Sequence, residues 1–460
     1  RGYAKVLIAE RNRPSEFIQR YTSNFEDYKE NVEGTEWKDI AISSGVSKEE
    51  IVRIGRIISK AKSIICCWAM GLTQHKNSVA TIQEITNLLL IDGNIGRKGA
   101  GLCPVRGHSN VQGDRTVGIN HNPSESFQKS LKKVFGIKPI ENTGYDSVES
   151  VKMMNAGKSS IFLSMGGNFL SAMSDTHYTA NALRKCDLTV HISTKPNRSH
   201  LIPGKVGLIL PCLGRTETDH TGGSEQFVTV ENSMGIVHKS VGGANPASSN
   251  LRSEVAIIVG IAKSIANYEN LHDINWDLFT EHYDNIRQKI ELVVPGFEGY
   301  NERCRQDGGF YLPNPPRDYR IFETETGKAT FIVHNLESIS ASENEYVMMT
   351  IRSHDQYNTT IFGTNDRYRG IQGGRRIVLM SKNDMDKGGF FQMQLVTITS
   401  KFKEKKIRSE GWRIVSYDIP DGNVATYFPE SNVLIPLDSV ADYSNTPTSK
   451  SVCVSIEAES

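Results

Sequence analysis

At 460 residues the chain exceeds the size at which one hydrophobic core keeps growing, which predicts several domains. Its 38% hydrophobic and 23% charged residues are the balance of a folded globular protein and exclude a disordered one. A net charge of +1 gives no electrostatic case for nucleic acid or an anionic membrane as the main partner, and no apolar run reaches membrane-spanning length.

The opening, RGYAKVLIAE, has no starting Met and reads as a helix already under way, with Leu7 and Ile8 in its apolar stripe. The expectation is the remainder of a longer polypeptide. Ser47 and Glu50 form an S-x-x-E capping box, and Ile51, Ile54, Ile57 and Ile58 recur at helical spacing, predicting a helix over 47–62. SIICCWAM (63–70) reads as a short buried strand, with Cys66 and Cys67 in the core. A loop over 71–77 leads to a helix with Val79, Ile82, Ile85 and Leu89 on one face, stopped at Gly93. Helix, strand, loop, helix is the rhythm of an α/β domain with a parallel sheet. Glycines then crowd 93–101, a stretch able to approach a ligand closely, and CPVRGHSNVQG (103–113) gathers Arg106, His108, Asn110 and Gln112 with little that is apolar.

The pattern restarts after 145. SIFLSMGGN (160–168) is a strand running into a glycine turn, 176–185 a helix, and DLTVHIS (187–193) and VGLILP (206–211) two further strands. Ligands of open α/β sheets lie at the carboxyl ends of strands, where 166–168 and 193–197 fall. Residues 221–342 hold a glycine-rich hairpin, helices near 251–266 and 275–290, and QDGGFYLPNPPRDYR, which reads as a linker. From 345 the strands YVMMTIRS, RRIVLMS, LVTITS and KSVCVSIEA predict a small barrel, with Val452, Val454 and Ile456 on one face. The expected domains are 1–107 (α/β), 108–220 (a second α/β unit), 221–342 (an irregular α+β connecting region) and 343–460 (the barrel).

Six polar, glycine- or turn-rich stretches follow strands: MGLTQH (70–75), VRGHSNVQGD (105–114), SMGGN (164–168), STKPNRSH (193–200), TIRSHDQYN (350–358) and SNTPTSK (444–450). Amide and hydroxyl side chains suit the edges of a heterocycle, and glycine amides suit phosphate. One such loop is usually a wet turn. Several with the same chemistry in separate domains point to one large shared ligand. His354 and Asp355 are neighbours in sequence and read as part of a hydrogen-bonding loop, not an acid–base pair. KFKEKK (401–406) reads as a solvated β-turn, RYRG with GGRR (367–376) as a surface patch or phosphate contact, and Cys103 as inert packing. The seven cysteines include no C-x-x-C, which argues against a zinc ribbon or iron–sulfur cluster within this chain and fits a reduced, cytoplasmic setting.

WAMGLTQHKNSVATIQEITNLLLIDGNIGRKGAGLCPVRGHSNVQG resembles the molybdopterin oxidoreductases, in their formate dehydrogenase-like branch. TIRSHDQYNTT…RYRG looks like the FdhF/YdeP-like subgroup, and SNVLIP…NTPTSK is similar to the family's closing dinucleotide-binding barrel. The resemblance runs along essentially the whole chain. It implies an α/β fold with Rossmann-like parallel-sheet domains and a C-terminal double-psi β-barrel. It also implies two molybdopterin guanine dinucleotides around molybdenum (or tungsten), and in many members a [4Fe-4S] cluster. Met70 and Gln74 then fall near a pterin, Gly166, Gly167, Asn168, Ser193 and Lys195 on loops receiving a guanine nucleotide, and Gly107 in the cofactor-binding set. Thr350, Arg352, Ser353, Gln356, Tyr357 and Asn358 match the barrel loop contacting the cofactor, with Asn432 and Lys450 as late barrel contacts. Arg106 matches the arginine that orients a substrate carboxylate, a task suited to a permanently charged planar fork, and His108 is a candidate for assisting proton movement.

This chain departs from the formate dehydrogenases at Ser193, where they have Asp, and at His108, where they have Gln. By the same resemblance, the cluster cysteines and the metal-ligating Cys, selenocysteine or Ser belong to a preceding N-terminal portion, so no metal ligand is assigned here. The expected function is two-electron oxidation of formate or a similar small substrate. The alternative is a cofactor-binding or interaction module without turnover. An ordinary nucleotide-dependent α/β enzyme is the poorer reading, because no G-x-G-x-x-G follows a strand and no Walker loop occurs.

Overall fold

Helix α1 (Gly2–Glu10) packs on helix α2 (Lys48–Lys60) at Gly55, where a Cβ would lie 2.8 Å from that of Val6. The computed structural model describes residues 1–11, 14–108, 110–266, 271, 273–339 and 341–459. Only half of the capping box forms on α2. Ser47 Oγ accepts from the Glu50 amide at 3.3 Å, but the Glu50 carboxylate turns to Arg53, 2.6 Å away, instead of back to Ser47. Strand β1 (Ile65–Trp68) pairs in parallel with β2 (Gly101–Pro104), and helix α3 (Ser78–Ile91) runs between them in sequence. Three expectations are corrected here. Within 71–77, residues up to Thr73 belong to a short helical turn, Met70–Thr73. β1 alternates between exposed and half-buried residues, and Cys67 is exposed and Cys66 half-buried rather than both in the core. The glycines at 93 and 96 serve protein packing, since a Cβ would lie 2.9 Å from Phe17 and 2.3 Å from Arg320 respectively.

Helix α4 (Val111–Thr116) follows the Arg106 loop. The second parallel sheet orders β3 (Ile161–Met165), β4 (Leu188–Ser193) and β5 (Val206–Pro211) side by side. Helices α5 (Ser147–Asn155) and α6 (Thr176–Arg184) cover one face, where Val148, Val151, Leu183 and Phe162 share a core. On the other face of β3, Ile161 is 63% exposed and Leu163 45%.

Within 221–342, Val237, Val293, Phe297, Tyr300 and Phe310 share a hydrophobic core. The hairpin β6 (Val228–Glu231) and β7 (Ile236–Ser240) is joined by β8 (Phe310–Tyr311), so the supposed linker is a strand packed through buried Phe310. That core also takes in Val117, Phe127 and Leu131, from before the β3–β5 sheet. Helix α7 (Glu254–Ile265) forms as expected. The helix expected over 275–290 instead breaks into Leu278–Glu281 and α8 (Asp284–Val293). The cause is Tyr283, whose N–H donates to Gln226 and whose hydroxyl reaches Asp219 at 2.6 Å and Ser253 at 2.7 Å.

The C-terminal strands are β9 (Tyr346–Ile351), β10 (Ile377–Met380), β11 (Leu395–Phe402), β12 (Lys405–Ser416), β13 (Asn423–Tyr427) and β14 (Val452–Ala458). They close into a barrel in the order β9-β13-β10-β12-β11-β14. β9 runs parallel to β13 and β10 parallel to β12, and the other neighbours are antiparallel. Two interleaved parallel pairs in a six-stranded barrel are the architecture expected of a double-psi barrel. Val452, Val454 and Ile456 point inward as the alternation predicted.

Buried Asn432 ties the barrel to the second sheet domain by donating to Ser171 O at 2.6 Å and Ala172 O at 3.0 Å, and Asp175 N–H donates to Asn432 O and Ile435 O. No helix among the described residues is long and apolar enough to cross a membrane.

Candidate functional site

The barrel touches both parallel-sheet domains, through the segment before β14 on one side and through the loop after β9 on the other. The first meets the stretch after β1. Thr350 N–H donates to Ser449 O, Ser449 Oγ donates to Gln74 Oε1 at 2.7 Å, and Lys450 N–H donates to Gln74 O at 3.1 Å. Lys450 Nζ reaches the carbonyl and the hydroxyl of Thr350. Met70 lies one helical turn from Gln74, within a 3.8 Å sulfur contact. Arg352 is close enough to Lys450 for its charge to be felt, and neither has a carboxylate partner among the described residues. Burial, and then Arg352, lowers the Lys450 ammonium to about 8, and burial lowers the Arg352 guanidinium. Burial, and to a lesser degree Lys450, also lowers the His75 imidazole. Two adjacent, desolvated and unpaired cations are costly unless an anion completes the site.

On the other side the loop meets the carboxyl ends of β3 and β4. Buried Asn168 donates to Thr359 O at 3.3 Å and accepts from Ser199 Oγ at 3.2 Å, while Asn197 Nδ2 donates to Gly167 O at 2.9 Å. Gly166 and Gly167 both have φ of 71°, a left-handed conformation that disfavours any side chain, and a Cβ on either would meet nothing within 4 Å. This is bare backbone facing open space. Beneath it, buried His191 Nε2 and Thr359 Oγ1 have no hydrogen-bond partner among the described residues. Burial, then His200, keeps His191 below the ordinary imidazole range. Ser193 Oγ donates to Lys195 O at 3.0 Å, and the Lys195 side chain is exposed.

Other expected residues take bracing roles. Gln356 accepts from Arg375 and from Ser353 N–H, and donates to Asn358 O and Phe428 O, so its amide faces protein. Ser353 Oγ accepts from Arg375 at 2.8 Å, and both amide hydrogens of Asn432 are engaged as described above. Within GGRR, Arg375 is not on the surface. It is buried and paired with Glu430 at 2.8 Å, where it fixes the loop from behind. Tyr357 is exposed, and Asn358 holds the turn with φ of 55°.

The Arg106 loop leaves the carboxyl end of β2 beside the end of β1, with Val105 N–H donating to Trp68 O. Arg106 N–H donates to Ser233 Oγ at 2.8 Å and Arg106 Nε to Gln112 Oε1 at 3.1 Å. Its two terminal nitrogens have no partner among the described residues, and the side chain is exposed. Gly107 is exposed and His108 half-buried. Sequence reasoning passed over His191 and Glu231. His191 carried a signal, as an ionisable residue inside a strand.

The barrel is thus hydrogen-bonded to both parallel-sheet domains, with the open turn at 166–167 at one contact and the cations Arg352 and Lys450 at the other, in an α/β protein closed by a barrel. Residues 39–263 match the family described as molybdopterin oxidoreductase, and residues 346–453 match the molydopterin dinucleotide binding domain. The chain belongs to the molybdopterin oxidoreductase family. An uncharacterized oxidoreductase of Mycobacterium tuberculosis is 44% identical over 446 residues, 96% of this chain and 57% of that one. Protein YdeP of Escherichia coli is 42% identical over 449 residues, 96% of this chain and 58% of that one. The chain thus spans rather more than half the length of these relatives. Acetylene hydratase from Pelobacter acetylenicus shares the fold, with a TM-score of 0.63 at 13% identity, over 99% of this chain and 70% of that one.

Proposed function

We propose that this chain holds two molybdopterin guanine dinucleotides of an oxidoreductase that oxidises formate or a similar small anion. The observation that supports the reading is the pair Arg352 and Lys450, half-buried, close enough for one charge to act on the other and without a carboxylate partner among the described residues, where the barrel meets the stretch after β1. A pyrophosphate would supply the missing charge, and the open glycine turn at 166–167 leaves room for a nucleotide. Lys195, Tyr357 and Asn358 stand at the rim of the same loops. When bound, the pterin-held molybdenum, or tungsten in its place, supplies two-electron transfer. The fold alone does not decide the reaction, since it also serves a hydratase.

The chain's own residues would bind and orient the substrate. The free terminal nitrogens of Arg106 form a planar fork for a carboxylate, and the Gln112 contact at Nε keeps that fork facing outward. Oxidation of formate to carbon dioxide releases one proton and two electrons, and a ring nitrogen of His108 would accept the proton. Electrons would leave through a [4Fe-4S] cluster, for which this chain offers no C-x-x-C motif. The thiols of this chain fit a reducing, cytoplasmic setting.

Metal analysis and pterin fluorescence on protein purified from a cofactor-producing host test the reading. One metal and two pterins per full-length chain are expected, and protein without pterin overturns it. Pterin binding without turnover of any small anion would instead favour a cofactor-binding module. Arg106→Ala should lower kcat/KM for formate by at least about a hundredfold, roughly 2.7 kcal/mol, with cofactor content unchanged. Retained activity would remove its role.

A further inference from the structure

Cys103 reads from the sequence as inert packing, but the fold gives it two sulfur neighbours. In the parallel pair of β1 and β2, Cys67 and Cys103 are register partners. Register partners on adjacent strands project to the same face, with the strands about 4.8 Å apart. Cys66, one residue earlier, faces the other way and packs against the core that holds Leu89 and Leu90. The third sulfur arrives from a distant part of the chain. Met234, in the turn between β6 and β7, places Sδ 3.7 Å from Cys103 Sγ.

That turn is held from several directions. Met234 N–H donates to Asn232 Oδ1 at 2.9 Å, Met234 O accepts from Arg317 Nη1 at 3.3 Å, and Ser233 Oγ accepts from the Arg106 N–H at 2.8 Å. The sulfurs are accessible: Cys67 is exposed, Cys103 half-buried and Met234 48% exposed. Neither cysteine is in a disulfide. Burial, then the neighbouring Cys67, raises the Cys103 thiol.

Spacing favours ligation over packing. Two sulfurs bound to one closed-shell ion at about 2.3 Å, with a bond angle of about 110–120°, lie about 3.8–4.0 Å apart. Cys103 and Met234 already stand close to that separation, and Cys67 is on the same face beside them. The donor chemistry then chooses the ion. Thiolates with a thioether form a soft set that suits copper(I). Structural zinc takes four ligands, and no three His, Cys, Asp or Glu side chains gather for a metal among the described residues.

We infer that Cys67, Cys103 and Met234 form a binding site for a soft monovalent ion, copper(I). The site goes beyond the proposed function and needs neither the pterin nor the substrate. Binding replaces two S–H bonds with two copper–sulfur bonds, and the thioether adds a third. The two protons pass to water, and no electron moves.

The test titrates full-length protein, reduced and free of oxygen, against the copper(I) complex of bicinchoninate. One copper(I) per chain should leave the chelator, and X-ray absorption at the copper edge should show sulfur neighbours alone. Changing even an outer contact of a metal ligand weakens binding roughly ten- to a hundredfold, so Cys67→Ser and Cys103→Ser should each weaken it by about a hundredfold or more, and Met234→Leu by about tenfold. Cys66→Ser, on the opposite face, should leave affinity unchanged. If Cys103→Ser does not fold, Cys67→Ser, at an exposed position, keeps the test available. No transfer from the chelator, or nitrogen or oxygen neighbours at the copper, overturns the proposal. So does affinity unchanged in Cys67→Ser, the result expected if copper went to pterin sulfur instead. Affinity unchanged in Met234→Leu removes the thioether, and with it the three-sulfur site.

Discussion

The barrel and the parallel sheet β3–β5 are built from the same apolar, β-branched residue types, yet they cover them differently. In the barrel every strand has two hydrogen-bonded neighbours, and Trp412, Val396, Ile398 and Val454 are all 0% exposed. In the parallel sheet, both β3 and β5 are edges, helices lie on one face, and Ile161, Leu163, Val206 and Leu208 remain exposed. Parallel sheets normally have both faces covered. A closed sheet supplies its own covering, whereas an open one depends on whatever packs over it. The comparison therefore separates contributions to stability that are internal to these residues from those that are not.

The sharpest way to break it is a pair of truncations. Trp412→Ala removes a fully buried ring whose indole N–H donates to Ser409 Oγ at 3.0 Å. It should cost about 3–5 kcal/mol in chemical denaturation. Leu163→Ala in the same chain should cost less than about 1 kcal/mol. Equal losses would mean that the open face is covered after all, by self-association for example, which sedimentation at two concentrations would reveal.

Next in size is a pH effect where the barrel meets the stretch after β1. Lys450 is lowered from the ordinary 10.5 to about 8 in the folded chain. Between those values the unfolded state binds more protons, so stability rises with pH across the window, and the penalty is fully present below about 8. The difference corresponds to about 3 kcal/mol. Urea midpoints of the ligand-free protein should rise from about pH 7 to about pH 9.5, and Lys450→Met should remove that rise. A bound pyrophosphate-bearing ligand should remove it too, because it keeps the ammonium charged. Affinity for such an anion should weaken as pH climbs through about 8.

What was legible in the sequence follows the same division. Alternation in KSVCVSIEA was enough to place Val452, Val454 and Ile456 inside, because in a closed barrel alternation alone decides what is covered. SIICCWAM was misread as buried, since an apolar run reports preference and not whether a second layer exists. Local rules also failed where a distant partner intervened. Tyr283 breaks a helix to reach Asp219 and Ser253, Arg53 diverts Glu50 from the cap, and Phe310 draws a Pro/Gly-rich stretch into a sheet. Among the candidate site residues, sequence patterns do not report which way a side chain faces. Gln356, Ser353 and Asn432 have polar atoms that face protein, a matter of rotamer and neighbour that no spacing encodes.

The smallest predicted effect distinguishes site from scaffold within one residue type. Gly167 and Gly136 both adopt φ of 71°, and a Cβ on either would meet nothing within 4 Å. Gly136 merely ends the helix Glu125–Phe135, whereas Gly167 lies at the carboxyl end of the parallel sheet, with its carbonyl held by Asn197. Alanine at either position should cost the same backbone strain, roughly 1–2 kcal/mol, and lower the melting temperature alike. Only Gly167→Ala should also reduce the pterin retained per full-length chain, because its methyl group would occupy space the ligand needs. Equal pterin content in the two variants would make the 166–167 turn an ordinary turn, and the cofactor reading would then rest on Arg352 and Lys450 alone.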